Sequence, residues 1–175
     1  MVDLATLAIS SEAFFSDCKS HRYSLTRRYK RGVSAISFLM LNPSTATTKV
    51  NDPTIHRCEA LALREGFSLM HIINLFSFRA TDPKDMKYAH EMGVDVTGGE
   101  ENNKTLERVC KASDIIVCAW GNHGSFLSRS DTVMRNIIPE GANTRCLAIN
   151  ASGEPKHPLY TAKNAELIPY VSKIG

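Results

Sequence analysis

Four motifs of this sequence, beginning at Asn42, Asn74, Trp120 and His157, stand at or shortly beyond the ends of apolar segments. Two side-chain amides offer paired hydrogen-bond donors and acceptors, which suit the Watson–Crick edge of a nucleobase. An aromatic face such as Phe76 or Trp120 can stack on the ring of that base. A histidine can donate a hydrogen bond to an oxygen that gains negative charge as a bond breaks. The set therefore indicates a site for a flat heterocycle.

Each motif also has a purely structural interpretation. Asn42-Pro43-Ser44 has the residue types of a turn, because Asn and Ser cap turns and proline fixes φ. Asn74 could hydrogen-bond neighbouring loop backbone, and Trp120-Gly121 could be a core tryptophan followed by a turn glycine. His157 could be a loop histidine, and His123 a residue of the surface or of a helix N-terminus. The functional interpretation requires that the motifs meet in space.

Several catalytic and metal-binding signatures are absent from the sequence. There is no GxGxxG, GxxxxGK[ST], GxSxG or HExxH string, which removes the main support for dinucleotide-binding, P-loop, serine-hydrolase and zincin functions. The five cysteines form no CxxC pair, so we expect neither a metal site nor a cofactor held by them. Cys58, Cys118 and Cys146 fall in apolar runs, where a free cysteine acts as a small buried hydrophobe.

The elements that must position these motifs are four short apolar segments, at 35–41, 69–76, 115–120 and 145–149. Each is nearly continuous in apolar or β-favouring residues, which is typical of strands covered on both faces in a parallel sheet. In open α/β sheets, ligands bind outside the carboxyl ends of the strands. All four motifs stand at or shortly beyond such ends, so the strand assignment predicts that they share one edge.

Helical patterns separate the strands. Asp52 and Pro53 suit the N-cap and first position of a helix whose C-terminus Gly66 can close. Further helices are predicted at 102–112, 131–138 and 163–170, a β-segment or hairpin at 21–29, and a long loop with one helical turn at 81–99. Strand and helix alternate, which predicts an α/β fold: a three-layer sandwich around a central, mostly parallel four-stranded sheet.

Composition places the chain among ordinary globular proteins. The 175 residues predict one domain, 1–175, and 43% apolar with 22% charged residues excludes wholesale disorder and a fibrous repeat. No apolar run approaches the roughly 20 residues that span a bilayer, and the N-terminus does not resemble a signal peptide. We therefore expect a cytoplasmic monomer with no membrane partner.

A basic cluster is the one notable feature of the charge distribution, since the net charge is only +3. Arg22, Arg27 and Arg28 lie close together, interleaved with Tyr23 and Tyr29. Such a cluster can hold phosphates of a nucleic acid. It could equally be a solvated basic hairpin.

Seven strings, in order along nearly the whole chain, resemble the family catalogued as domain of unknown function 1643. They are RYSL (22–25), MLNPSTA (40–46), DPTI (52–55), NLF (74–76), RATDP (79–83), AWG (119–121) and HPLY (157–160). The family's name assigns it no activity.

At longer range, the motif order is similar to that of the uracil-DNA glycosylase superfamily, which implies its four-stranded sheet between helices and hydrolysis of an N-glycosidic bond. The base would be rotated out of the nucleic acid stack into the pocket. The resemblance implies catalytic roles for Asn42, which would place water, and His157, which would donate to the departing base. It implies substrate contacts from Pro43, Ser44, Asn74, Trp120, Gly121, Pro158 and Leu159, and phosphate contacts from Arg22, Arg27 and Arg28. Phe76 and His123, which follow the same strand ends, are expected to contact the substrate as well. Leu159 or Tyr160 would fill the gap left in a duplex.

Departures from the superfamily leave three hypotheses open. Asn42 stands where the fastest glycosylases of the superfamily have an Asp, and an amide cannot take a proton. Ser44 stands where the uracil-specific members have a bulky Tyr, so a larger or 5-substituted base could enter. The partner would be a nucleic acid, with DNA ahead of RNA, or a free nucleobase or nucleotide. The chain would be a glycosylase-like hydrolase, a non-catalytic binder that reuses the pocket, or a hydrolase of free nucleosides.

Overall fold

The computed structural model describes residues 8–44 and 51–172. In chain order, its strands and helices are β1 (Ser10–Phe15), β2 (Arg22–Arg28), β3 (Ala35–Met40), α1 (Pro53–Arg64), β4 (Leu69–Asn74), α2 (Pro83–Glu91), α3 (Gly99–Lys111), β5 (Ile115–Cys118), α4 (Arg129–Asn136), β6 (Thr144–Cys146) and β7 (Ile168–Pro169). Two 3-10 segments lie at Asn122–Ser128 and Pro158–Tyr160. None of the helices in these ranges is long and apolar enough to cross a membrane.

All of these strands form one sheet in the order β1-β2-β4-β3-β5-β6-β7. The central strands β4, β3, β5 and β6 are parallel, and the outer strands β1, β2 and β7 run antiparallel to their neighbours. The α/β class and the central sheet flanked by helices are therefore confirmed. The four-stranded sheet is wrong, because the sheet has seven strands. The 21–29 segment supplies β2, and β1 precedes it.

Two helix predictions differ from the structure. The loop expected at 81–99 contains the nine-residue helix α2, which Asp82 caps by accepting from the Lys84 N–H at 2.8 Å. The helix expected at 163–170 is a turn followed by β7. This segment is extended because Pro169 suits an edge strand, while Ala165 and Leu167 pack on the core beneath α1.

The layers follow from strand alternation. In β3, Ile36 and Phe38 face α1, whereas Leu39 faces α3. Helix α1 buries Ile55, Cys58, Leu61 and Ala62 on the first face, as its periodicity predicts. Helices α2, α3 and α4 cover the second face. Each fully buried aliphatic side chain contributes about 1.5–3 kcal/mol, so both faces are held mainly by apolar burial.

The ends of α1 fix where the chain leaves the sheet. Asp52 accepts a hydrogen bond from the Ile55 N–H at 2.9 Å, with Pro53 in the first turn. Gly66 lies just past the C-cap at φ +78°, a conformation that favours glycine, and the Phe67 N–H donates to the Ala62 carbonyl at 3.0 Å. The loop from β3 to the start of α1 therefore lies at the carboxyl end of the sheet.

Strand order creates a crevice at that end. Strand β4 lies on one side of β3 and β5 on the other, with α1 and α3 on opposite faces. The chain therefore changes direction across the sheet at β3, and the loops that follow β3 and β5 diverge. Such switch points are where open α/β sheets bind ligands.

Candidate functional site

A cleft of about 550 Å³ opens at this switch point. It is bounded by the loop after β3, the first turn of α1, the end of β4, the loop before α2, the loop after β5 and the segment around Pro158–Tyr160. Its lining includes eleven residues that the sequence suggested, namely Arg22, Asn42, Pro43, Ser44, Asn74, Trp120, Gly121, His123, His157, Leu159 and Tyr160. The motifs that follow separate strands thus share one cavity.

The Asn42 side chain has a defined orientation. Its Nδ2 donates to the Ala80 carbonyl at 2.7 Å and to the Pro43 carbonyl at 3.3 Å. Because the amide nitrogen is held by two acceptors, the Oδ1 atom is the part of the amide left to accept a hydrogen bond. Asn42 can therefore orient a water molecule or a ligand N–H, but it cannot remove a proton.

Asn74 ends β4 and is only 1% exposed. Its Nδ2 has no hydrogen-bond partner within the described residues. Its backbone is held by Asn102, whose Nδ2 donates to the Asn74 carbonyl at 3.1 Å. A buried donor left unpaired costs roughly 1–3 kcal/mol, so the Asn74 amide is suited to a ligand acceptor that enters the cleft.

The hydrogen bonds of His157 determine which of its ring nitrogens carries the proton. Its Nδ1 accepts from the Leu159 N–H at 3.3 Å, which requires a neutral ring with hydrogen on Nε2. Burial lowers the pKa of His157, and the charge of Asp52 opposes that shift. His157 is therefore a neutral imidazole near pH 7 and can donate from Nε2.

Trp120 reaches the cleft without offering its ring to a ligand. The indole is 1% exposed, packs edge-on to Tyr170 at 5.7 Å between centroids and donates from Nε1 to the Glu154 carboxylate. Gly121 adopts φ +73°, and its N–H donates to the Pro155 carbonyl at 2.9 Å. Trp120 is therefore a core tryptophan followed by a turn glycine, and its ring is not available to stack on a base.

Two expected ligand contacts lie outside the cleft. Phe76 is fully buried, with its ring 5.7 Å from that of Phe126, because the chain turns into the core beneath α2–α4 after β4. Pro158 is buried and lines a separate cavity of about 40 Å³ against α1. The exposed aromatic side chain at the cleft is Tyr160, whose ring lies 5.7 Å from that of His157.

The basic cluster separates into different environments. Arg22 lines the cleft and is 1% exposed; burial lowers its pKa to about 10, opposed by Asp52, so it stays charged at neutral pH. Arg27 points toward α1, where its Nε lies 3.5 Å from the Glu59 carboxylate. Arg28 donates to the Gly32 carbonyl at 2.9 Å. Arg27 and Arg28 do not line the cleft, because they pair with Met70 and Leu69 at the beginning of β4, whereas the cleft lies at the end of that strand.

The remaining predicted residues lie at the rim. Ser44 donates to the Thr81 hydroxyl at 3.4 Å, and Leu159 is 45% exposed. The His123 Nδ1 lies 3.2 Å from the Lys87 ammonium; burial, and then that charge, lower the pKa of His123. Positions 45–46 of the longest family string lie outside the described residues.

Sequence reasoning missed two charged lining residues, Asp52 and Lys156. The sequence pattern gives Asp52 only a capping role, although its position at a strand-to-helix junction is a signal for the cleft. Within residues 8–44 and 51–172, no group of three or more His, Cys, Asp or Glu side chains is placed to hold a metal ion. Cys58, Cys118 and Cys146 are buried, as predicted.

Comparison with known proteins gives one match. The family model described as "Protein of unknown function (DUF1643)" matches residues 22–159. No curated protein and no solved structure matches the chain. The matched range contains every strand but β1 and β7, and all cleft residues named above except Tyr160.

Proposed function

Since the chain belongs to the DUF1643 family, whose description assigns no activity, we propose its function from the cleft itself: hydrolysis of the N-glycosidic bond of a damaged or modified nucleobase. The base would belong to a nucleic acid, with DNA ahead of RNA. The remote similarity of motif order to the uracil-DNA glycosylase superfamily supports the same reaction.

One observation carries this proposal. Three groups from separate segments line one cavity in complementary states. Among the described residues, the Asn42 Oδ1 and the buried Asn74 Nδ2 have no hydrogen-bond partner, and His157 is neutral with its proton on Nε2. The two amides suit the edge of a base. The imidazole suits an oxygen that becomes more negative as the base departs.

The proposed reaction begins with a base rotated out of its stack, which costs a few kcal/mol. The bond from the base nitrogen to the sugar C1′ breaks, and its electron pair moves onto the base. His157 donates a hydrogen bond to the base oxygen on which that charge collects. Asn42 orients the water that adds to C1′, and Asn74 selects the base through its edge.

The small Ser44 side chain at the rim favours a base larger than uracil. Ser44 is a small residue on the cleft lining, where a bulky side chain would exclude a 5-substituent. Arg22 and Lys156 are the basic side chains of the described lining, besides the two histidines. Substrate phosphates would therefore meet two charges, fewer than the basic cluster of the sequence suggested.

The test is abasic-site formation on duplexes that carry uracil, xanthine, hypoxanthine or a 5-substituted pyrimidine. We expect turnover of at least one, and a loss of about 100-fold in His157→Ala, the size typical of a removed general acid or hydrogen-bond donor. His56→Ala is the matched control, because His56 is half-buried on α1 and lies outside the cleft lining. No abasic site from any duplex at high enzyme concentration would refute the proposal.

A second function, binding of a nucleobase or nucleotide without catalysis, is favoured by Asn42, which accepts no proton. In that case free nucleotides or single strands bind, and His157→Ala weakens binding little. Turnover of a free nucleoside with no dependence on salt would instead indicate a nucleoside hydrolase, because phosphate contacts weaken steeply with salt.

A further inference from the structure

The cleft contains a carboxylate that the sequence motifs did not assign to it. Asp52 is the acidic side chain of the described cleft lining, which otherwise holds amides, hydroxyls, histidines, Arg22 and Lys156. Its Oδ1 accepts from the Ile55 N–H at 2.9 Å, and its Oδ2 has no hydrogen bond within the described residues. One carboxylate oxygen thus holds the side chain in place while the other is left for a ligand or water.

The charge of Asp52 acts on other ionisable side chains of the cleft. Its charge acts on the two most buried ionisable groups of the cleft, since it raises the pKa of both His157 and Arg22 against the effect of burial. The same cleft contains the 1% exposed Asn74 amide, whose donor is unpartnered within the described residues. Asp52 therefore does more than cap a helix, because it shares a cavity with a polar side chain that has no hydrogen-bond partner among the described residues.

We propose that Asp52 is the catalytic carboxylate of this cleft, acting on the sugar while Asn74 and His157 act on the base. This role rests on the proposed function. As the glycosidic bond breaks, C1′ becomes cationic and the carboxylate stabilises it. The water oxygen then bonds to C1′, its proton passes to the free Asp52 oxygen, and that proton returns through solvent to the departed base. This provides the proton acceptor that Asn42 lacks.

A buried hydrogen-bond network around Glu59 of α1 sets the position of the carboxylate. Glu59, fully buried on α1, accepts from the Tyr29 hydroxyl at 2.7 Å, lies 3.5 Å from Arg27, and accepts from the Asn51 amide. Asn51 directly precedes Asp52. This network fixes the start of α1, so Asp52 meets the cleft in one position.

The experiment uses two duplexes that differ at a single abasic position. One carries an uncharged tetrahydrofuran, and the other a pyrrolidine whose ammonium imitates the cationic sugar. Wild-type protein should bind the pyrrolidine duplex more tightly by about tenfold or more, the effect of one hydrogen bond to a charged group. Asp52→Asn should abolish this preference and lower turnover by about 100-fold. Asparagine caps helices as well as aspartate does, so folding is retained.

Asp82→Asn is the matched control, because Asp82 also precedes a proline, caps a helix and is exposed outside the cleft lining. It should keep the preference for the cationic duplex. Equal binding of the two duplexes by the wild type, or a preference retained in Asp52→Asn, would overturn the role of Asp52. A preference that Asp52→Asn abolishes, in a protein that produces no abasic site, would refute the proposed hydrolysis and leave the carboxylate facing a bound sugar.

Discussion

Replacing Asn74 by leucine should stabilise the protein while removing base recognition. The side chain is 1% exposed and its Nδ2 has no partner among the described residues, so the folded state retains a buried donor at a cost of roughly 1–3 kcal/mol. Leucine has a similar size and no polar atom. Allowing for partial hydration from the cleft, we expect a gain of about 1 kcal/mol, or about 2–4 °C in Tm for a chain of this length.

Asn102 provides a contrasting case, because its amide nitrogen is hydrogen-bonded, although its Oδ1 has no partner among the described residues. It is fully buried, and its Nδ2 donates to the carbonyls of Thr97 at 2.9 Å, Asn74 at 3.1 Å and Leu75 at 3.4 Å. Asn102→Leu removes this donor from the Asn74 carbonyl, whereas the Leu75 carbonyl still accepts from Arg129 at 2.8 Å and the Thr97 carbonyl from the Ser77 hydroxyl at 3.2 Å. We therefore expect a loss of about 1–2 kcal/mol and a Tm lower by about 2–8 °C.

Thermal and urea unfolding of both variants measures the difference, and binding of the preferred base or nucleotide measures function. Asn74→Leu should lose binding by about tenfold or more, because the ligand acceptor then meets an apolar group. Opposite signs in the two stability measurements are the central expectation. If Asn74→Leu destabilises the protein as much as Asn102→Leu, then the Asn74 amide is a structural group and the assigned ligand role is wrong.

Three further predictions concern stability. Burial lowers the pKa of His71 from 6.5 to about 4, so between these values the unfolded chain binds more protons than the folded one. The free energy of unfolding should therefore fall as the pH is lowered from 7 to 4. Urea unfolding should show a smaller fall in His71→Gln. Trp120→Phe should cost about 1–3 kcal/mol, because the Glu154 Oε2 loses its indole donor. It should leave ligand affinity unchanged within about twofold, and a larger loss of affinity would show that the indole contacts the ligand. Arg27→Met should cost about 3–5 kcal/mol, because the buried Glu59 carboxylate keeps its bonds from Tyr29 and Asn51 but loses the positive charge beside it. Arg27→Met combined with Glu59→Leu should recover most of that loss in calorimetry.

The sequence was informative wherever a local pattern has a single spatial consequence. Continuous apolar runs place the four parallel strands, and Asp52, Pro53 and Gly66 bound α1 as expected. The same Asp-Pro signal at Asp82 marks α2, in a region otherwise polar enough to resemble a loop. The last segment was misassigned, because its apolar residues fit either a short helix or an edge strand, and packing against the core beneath α1 favours the extended form.

Hydrophobic periodicity and helix capping give the order of the elements and the strand ends at which polar residues gather, because both are local patterns along the chain. Tertiary structure alone decided which of those residues face the cleft. Trp120 shares the alternation of Ile116 and Cys118 and so turns into the core beneath α2–α4, whereas Asn74 is placed on the cleft side. Periodicity tells which residues share a face, but only the packing of distant helices determines which face is covered and which is left open.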